Sequence, residues 1–364
     1  MSNNIKVKKK ISIADNTIIF SFISIILGLL VGAIALTIAG FDPIEAYTAM
    51  IEGIFGKPKF IAWTIIRSTP LILTGLSIAF AFKTGLFNIG AEGQFIIGSL
   101  VATLVGASIQ LPPFIHIPLT LLLAALGGAI WGSVAGWLKS KFEINEVIAT
   151  IMLNWIAFYF SNFMIKNTFL ARPNSEASVS INESASIGID WLTELVGPAT
   201  KVNWGILISI ALVLIIAFIL FKTTLGFELR GVGYNKYGAE YSGINVKNSI
   251  LKSMAIAGLL AGIAGAIQVM GVSHNITVLA AQEGYGFDGI AVALIANSNP
   301  IGVIFSGLLF GAFKYGGTKM QAIGAPSEVI SIVIGSIVYF IALSSVLRAL
   351  YIKMREKRNK GGNI

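Results

Sequence analysis

Ten long apolar segments limit what this chain of 364 residues can fold into. A helix rises 1.5 Å per residue, so about 20 apolar residues cross the roughly 30 Å hydrocarbon core of a bilayer. Only 12% of the residues are charged, whereas soluble domains carry about 25%. The sequence therefore predicts an all-α fold, a polytopic membrane bundle of about ten transmembrane helices. The predicted spans are residues 17–39, 61–82, 88–107, 117–138, 146–165, 204–221, 253–272, 287–297, 300–316 and 327–347.

The basic residues predict the orientation of this bundle. With a cytoplasmic N-terminus, alternation of the spans places 18 of the 26 Lys and Arg residues in the cytoplasm and 7 outside, Lys314 among them, with Arg67 inside a span. Cytoplasmic loops carry such an excess, so we expect both termini in the cytoplasm. The basic residues cluster at span ends, which argues against nucleic-acid binding. The expected regions are a basic N-terminus at 1–16, a transmembrane domain at 17–347, an extracytoplasmic loop at 166–203, a cytoplasmic loop at 222–252 and a basic tail at 348–364.

Several kinds of chemistry are excluded by what the chain lacks. It contains no cysteine and two histidines, so it has no disulfide framework and no Cys/His zinc site. No G-x-x-x-x-G-K-[ST] phosphate loop, H-E-x-x-H or G-x-S-x-G motif occurs. We therefore expect no catalytic site and no cofactor in this chain. If the protein moves a solute uphill, the energy comes from a coupled ion or from another subunit.

Glycines at helical spacing predict close packing of the spans. Small residues four apart lie on one helix face and let helix backbones approach in lipid. Three such sets occur, namely Gly128, Gly132 and Gly136, Gly258 and Gly262, and Gly307 and Gly311.

Two breaks in the apolar pattern resemble each other. Residues 87–90 open the third segment and residues 287–289 open the eighth, from opposite sides of the membrane under the expected topology. Paired breaks of opposite orientation are typical of an inverted repeat, here segments two to five and seven to ten. Polar residues at such breaks are costly in lipid and mark a translocation path. The candidate path residues are Phe87, Asn88, Glu92, Gln94, Asn154, Asp288 and Asn297.

A structural interpretation of these polar residues stays open beside the functional one. Asn88 can cap a helix and Glu92 can complement the helix dipole. Asn154, Asp288 and other single polar groups can serve as hydrogen bonds between helices. Arg67 is a possible ion-pair partner of Glu92.

The 222–252 loop is longer than the two to eight residues that usually join helices. Asn235 predicts the start of a short helix and Gly243 its end, and Tyr237 and Tyr241 then share one aromatic face. We expect this helix to insert into a cytoplasmic partner, although a helix lying on the membrane surface has the same pattern.

The chain resembles a known family at these positions. The runs 230–235, 238–240 and 242–246 look like the coupling loop of permease subunits in bacterial ABC importers for simple sugars, nucleosides and branched-chain amino acids. The runs 87–94 and 286–294 match as well, and the resemblance extends over 70–347. The NIGAEGQ sequence looks most like the nucleoside branch. Gly231 and Gly238 depart from the family, which commonly has alanine there.

The resemblance implies a non-catalytic subunit in the bacterial cytoplasmic membrane that moves a nucleoside or related sugar-like solute. The implied partners are a second permease subunit, two cytoplasmic ABC ATPase subunits that use the ATP, and an extracytoplasmic substrate-binding lipoprotein. An ion-coupled secondary transporter, with Glu92 and Asp288 as ion site, is the alternative. The residues expected to couple to the ATPase are Arg230, Gly233, Asn235, Tyr237, Ala239, Glu240, Tyr241, Gly243 and Ile244.

Overall fold

The computed structural model describes residues 17–197 and 199–361, and in these ranges all regular structure is helical apart from three isolated β-bridges. The predicted N-terminus at 1–16 and the last three residues of the predicted tail lie outside the described residues. The helices are α1 (Thr17–Ile38), α2 (Pro43–Phe55), α3 (Pro58–Lys83), α4 (Ala91–Ser108), α5 (Pro113–Phe142), α6 (Glu146–Asn167), α7 (Asp190–Val196), α8 (Gly205–Lys222), α9 (Thr224–Tyr234), α10 (Lys236–Tyr241), α11 (Val246–Gln268), α12 (Tyr285–Ile295), α13 (Pro300–Met320), α14 (Ser327–Ala342) and α15 (Ser344–Gly361).

Seven of the described helices are long and apolar enough to cross a membrane, which confirms the all-α polytopic prediction. These seven spans are formed by α3, α4, α5, α6, α8, α11 and α13. They match the second to seventh and the ninth predicted spans. α14 and residues 346–354 form a pair bent by 51° that makes an eighth span if counted as one. The expected number of ten is therefore approximate.

The eighth predicted span, 287–297, is wrong as a full crossing. The helix at this place, α12, has 11 residues, so it rises about 17 Å and covers half of a hydrocarbon core. Residues 274–284 before it contain no helix. The chain therefore returns after α11 as an irregular stretch followed by a half-length helix.

Contacts between Cα atoms divide the chain into two units. The first contains the residues up to 50 and from 317 onward. In it α1 packs on α14, with Ser336 donating to the Gly28 carbonyl at 3.1 Å. The Tyr47 hydroxyl donates to the Leu29 carbonyl at 2.6 Å, and burial raises the pKa of Tyr47 to about 12.

The second unit, residues 51–316, is built around three buried helices. In α3, α4 and the α11 span, 83%, 72% and 72% of the most apolar stretch is buried, against 28% in α5 and in α8. The first three helices therefore form the centre of this unit and the other two lie outside them.

Glycines bring the helices of this unit together as the sequence predicts. A side chain at Gly258 would collide with the Gly128 carbonyl oxygen on α5, and one at Gly262 would lie 2.6 Å from the Ala124 carbonyl oxygen. A side chain at Gly307 on α13 would lie 3.2 Å from the Cα of Ile72 on α3. The backbones thus touch where only glycine fits.

The 166–203 segment packs against the residues that follow α11. Ser178 and Ile181 donate backbone hydrogen bonds to the carbonyls of Ile276 and His274, each at 2.8 Å. A π-helical turn, Val269–Ser273, ends α11 before the irregular 274–284 stretch begins. These contacts hold the outer part of that stretch in place.

Candidate functional site

The starts of α4 and α12 meet at the carboxylate of Glu92. Its two oxygens accept hydrogen bonds from the backbone N–H groups of Gly284 at 2.7 Å and Gly286 at 2.6 Å. Glu92 is fully buried, and Gly286 lies against its backbone so closely that a side chain there would collide with it. One carboxylate thus faces the positive ends of two helices. The structure brings together the two sequence breaks that the inverted-repeat pattern singled out.

Arg67 is not the partner of Glu92. Its guanidinium donates to the Tyr285 hydroxyl at 3.3 Å instead. The ion pair considered from the sequence is therefore wrong.

Asn88, Gln94 and Asn154 form a buried polar cluster beside Glu92. Asn88 and Gln94 exchange two side-chain hydrogen bonds of 3.0 and 3.2 Å. Asn154 on α6 donates to the Ile89 carbonyl at 3.0 Å and accepts from the Gly93 N–H at 2.8 Å. All three side chains are at most 1% exposed, so these hydrogen bonds hold the start of α4 in place.

The predicted third span begins later than expected. α4 starts at Ala91 rather than at Asn88, and its N-cap residue is Gly90. Asn88 accepts from the Gly90 N–H at 3.1 Å, so it fixes the turn that precedes the helix. The chain is therefore non-helical at this break, as it is before α12.

Phe87 and Asn297 lie at the edges of this region. The Phe87 ring stacks on Phe82 with 5.1 Å between centroids. Asn297 is exposed in the turn between α12 and α13, where it and Ser298 have positive φ values of 50° and 52°. Asn297 lies nine positions after Asp288, a rise of about 14 Å at helical spacing.

Four charged side chains and one tyrosine form a second group, which we call the charged face: Arg67 on α3, Glu283, Tyr285 and Asp288 at the start of α12, and Lys314 on α13. Lys314 and Asp288 form an ion pair of 2.7 Å, and their side chains are 45% and 22% exposed. Arg67 and Glu283 are exposed as well. The topology prediction places Lys314 outside, but it lies within the Pro300–Ile323 span.

Lipid is not a suitable neighbour for the charged face. Arg67 is nine residues into the span that begins at Pro58, which is about 14 Å along the helix. Charged groups at such depth face a bundle interior or water. The charged face therefore has to border an aqueous path or another protein surface.

Glu283 is exposed to solvent yet surrounded by protein, as a side chain in a crevice is. This desolvation, together with the nearby Glu92 carboxylate, raises the pKa of Glu283 to about 7, although Arg67 acts in the opposite direction. The sequence reasoning did not select Glu283 or Lys314. The available signals were an acidic residue just before the glycine-rich break and a lysine inside an apolar run.

The cytoplasmic loop contains two short helices, α9 and α10. The Asn235 side chain caps α10 by accepting from the Gly238 N–H at 3.0 Å, and Gly243 ends the turn after it with φ of +84°. The short helix predicted from these two residues is confirmed.

The expected coupling residues divide into anchors and exposed groups. Ala239 and Ile244 belong to a cluster with residues of α3, α5 and α11, and Gly233 lies against the Lys83 carbonyl. Tyr237 and Tyr241 are 78% and 96% exposed. Of the other expected coupling residues, Arg230 lies over the Phe221 ring at 5.5 Å, and Glu240 is exposed.

A groove lies beside α10. Its volume is about 380 Å³, and it is lined by charged residues of three segments, including Lys139, Glu143, Lys236, Glu240 and Lys247. Tyr237 forms part of its wall. The exposed aromatic face of α10 therefore borders a polar groove of a size that admits side chains of a partner.

The family and the relatives that this chain is similar to are described as permease components or permease proteins. Residues 60–342 match the family described as branched-chain amino acid transport system / permease component. The chain is 41% identical to the guanosine ABC transporter permease protein NupP of Bacillus subtilis, over 92% of this chain and 96% of that protein. It is 36% identical to the nucleoside ABC transporter permease protein NupB of Lactococcus lactis, over 95% and 97%. It is 29% identical to the glucose ABC transporter permease protein TsgB13 of Haloferax volcanii, over 90% and 87%.

Proposed function

The chain belongs to the branched-chain amino acid transport system permease family, and from this membership we propose that it forms the membrane path of an ATP-driven nucleoside importer. It is a multi-pass membrane protein and a permease subunit of an ABC importer, which works with ABC partner subunits. The nucleoside class, the path and the composition of the complex are the proposed parts.

The substrate class is supported by the relatives that cover almost the whole chain. NupP is named for guanosine and NupB for nucleosides. TsgB13, named for glucose, has a lower identity of 29%. A nucleoside or a related sugar-like solute is therefore the proposed cargo.

The observation that carries the proposed path is the charged face. Arg67, Asp288 and Lys314 are accessible side chains within or beside apolar helices, where lipid contact is unfavourable. Asp288 lines the proposed path directly. Asn88, Glu92, Gln94 and Asn154 support its wall, because their hydrogen bonds hold the two helix starts beside it. Phe87 and Asn297 lie at its cytoplasmic edge.

The proposed partners would bind at the cytoplasmic side, at the extracytoplasmic side and beside the membrane helices. Two cytoplasmic ATPase subunits would bind and hydrolyse the ATP, since this chain has no phosphate loop. One of them would receive Tyr237, Glu240 and Tyr241, while Gly233, Ala239 and Ile244 transmit the motion to the membrane helices. A second permease subunit would complete the path, and an extracytoplasmic lipoprotein would deliver the solute. Since NupP and NupB are bacterial, the proposed location is the bacterial cytoplasmic membrane.

The ion-coupled alternative is disfavoured by the partners of its two carboxylates. Both oxygens of Glu92 already accept backbone hydrogen bonds, and Asp288 is paired with Lys314. Neither group is free to bind and release a coupled ion without breaking these contacts.

Uptake of labelled guanosine by cells with and without the gene tests the proposed function. We expect deletion to abolish uptake at low concentration and the cloned gene to restore it, while glucose uptake stays unchanged. Vanadate, which inhibits ABC ATPases, should stop transport in membrane vesicles, and a proton uncoupler should not. Uncoupler-sensitive, vanadate-resistant uptake would instead establish a secondary transporter.

A further inference from the structure

The charged face contains an exposed donor, Arg67, and an exposed acceptor, Glu283. Arg67 presents guanidinium N–H groups and donates to the Tyr285 hydroxyl at 3.3 Å, and Glu283, two residues before Tyr285 in the chain, presents a carboxylate. Both side chains are exposed. Lys314 and Asp288 satisfy each other in their ion pair, so Arg67 and Glu283 are the charged groups available to a solute.

Two aromatic residues contact Arg67. The Tyr285 ring stacks on Phe95 at 5.0 Å, and its hydroxyl accepts from Arg67. The Arg67 guanidinium also lies 5.8 Å from the centre of the Trp63 ring. Phe287, four residues after Glu283, is 41% exposed. Arg67 is therefore held in position by two aromatic residues, and the accessible Phe287 ring lies on the first turn of α12.

We propose that Arg67 and Glu283 recognise the base of the transported nucleoside, Glu283 accepting from its N–H groups and Arg67 donating to its carbonyl oxygen or ring nitrogen. This inference rests on the proposed nucleoside function. It identifies two specificity-determining residues and a substrate class, namely nucleosides whose base carries exchangeable N–H groups next to acceptors.

The chemistry of a base fits this pair better than that of a sugar. Guanine presents two N–H donors on one edge, which a carboxylate accepts together, and its O6 and N7 accept from an Arg fork. Aromatic side chains add stacking on the flat ring. A sugar without a base has hydroxyl groups only and lacks the flat edge of neighbouring donors and acceptors that a carboxylate and a guanidinium match.

The ionisation of Glu283 adds a testable pH dependence. The groups that face it are Glu92, Arg67 and Tyr285. Because its pKa is raised to about 7, the carboxylate is ionised and accepts hydrogen bonds above that pH. Below it the protonated group loses acceptor capacity, so selection for guanosine should weaken as the pH falls through about 7.

The test compares guanosine with purine riboside, whose base lacks the exocyclic groups and the ring N–H. The reconstituted complex with its partner subunits is supplied with binding protein saturated by either nucleoside, and uptake rates are measured. In Glu283→Gln and Arg67→Gln we expect the guanosine rate to fall about tenfold relative to the purine riboside rate. Glu283→Gln should also remove the pH dependence of the ratio. Glu176→Gln and Lys59→Gln, at exposed positions away from the charged face, are matched controls.

Each outcome decides the proposal. An equal loss of both rates shows that the two residues serve gating or stability, and unchanged rates show that they do not meet the solute; either result overturns base recognition. If the unaltered complex transports glucose but neither nucleoside, the proposed function itself fails.

Discussion

The Glu92 carboxylate should control whether α12 stays in place. Its two hydrogen bonds to Gly284 and Gly286, of 2.7 and 2.6 Å, tie a half-length helix to the start of α4. Glu92→Gln keeps the size of the side chain and one carbonyl oxygen. Its side-chain NH2 group, however, is a donor. It would face a backbone N–H that needs an acceptor, so one of the two hydrogen bonds would be lost.

The magnitude follows from these contacts. A buried hydrogen bond to a charged group contributes about 1.5–3 kcal/mol, and a buried donor left without a partner costs about 1–3 kcal/mol. With one bond retained in neutral form, Glu92→Gln should lower the free energy for opening of the α12 start by roughly 2–4 kcal/mol. Amide exchange through that opening should then be about 30- to 1000-fold faster.

Hydrogen exchange followed by mass spectrometry on the purified complex measures this effect. Peptides that contain Gly284 and Gly286 should exchange faster in Glu92→Gln, while peptides of α5 keep their rates. Glu183→Gln, at an exposed position, is the control and should change nothing. If exchange at Gly284 and Gly286 is unaltered in Glu92→Gln, the carboxylate does not hold α12 and the reasoning is refuted.

Three further predictions concern topology, coupling and packing. In this chain without cysteine, Tyr237→Cys should resist an impermeant thiol reagent added to intact cells and Asn182→Cys should react; the reverse pattern would invert the topology. Asn235→Ala removes the cap of α10, worth about 1 kcal/mol, and should reduce ATP-driven uptake and ATPase copurification at normal membrane abundance; full coupling would remove α10 from the docking surface. Gly258→Val should prevent a monodisperse complex on size-exclusion chromatography, because its side chain meets the α5 backbone. Gly335→Val, with no atom within 4 Å of an added Cβ, is its control, and equal behaviour of the two would argue against the glycine contact.

The sequence alone was sufficient for the features that depend on neighbouring residues. Seven spans follow from runs of apolar residues, because crossing the hydrocarbon core requires a minimum helix length. The short helix α10 follows from Asn235 and Gly243, which act within one turn of where they stand. The glycine contacts could be predicted as well, since spacing of four places Gly258 and Gly262 on one face whatever the partner is.

Hydropathy misjudged the segment that includes α12. The apolar run of 11 residues was predicted as a short span. Hydropathy indicates that a segment lies in apolar surroundings, but it does not indicate how deep in the membrane the segment begins. Here residues 274–284 are held by the 166–203 segment and by Glu92, so the chain reaches the level of α4 before the helix starts. That depth depends on contacts between residues 192 positions apart.

The roles of the polar residues were decided by the tertiary structure. For Asn88 and Glu92 the sequence left capping, packing and a solute path open. Packing showed Asn88 bonded to Gln94, Glu92 bonded to the start of α12, and Lys314 paired with Asp288. Local patterns determine which groups share a helix face, whereas the groups opposite them are determined only when helices distant in sequence pack together, because a buried charge or amide takes the partner that packing places within hydrogen-bond distance.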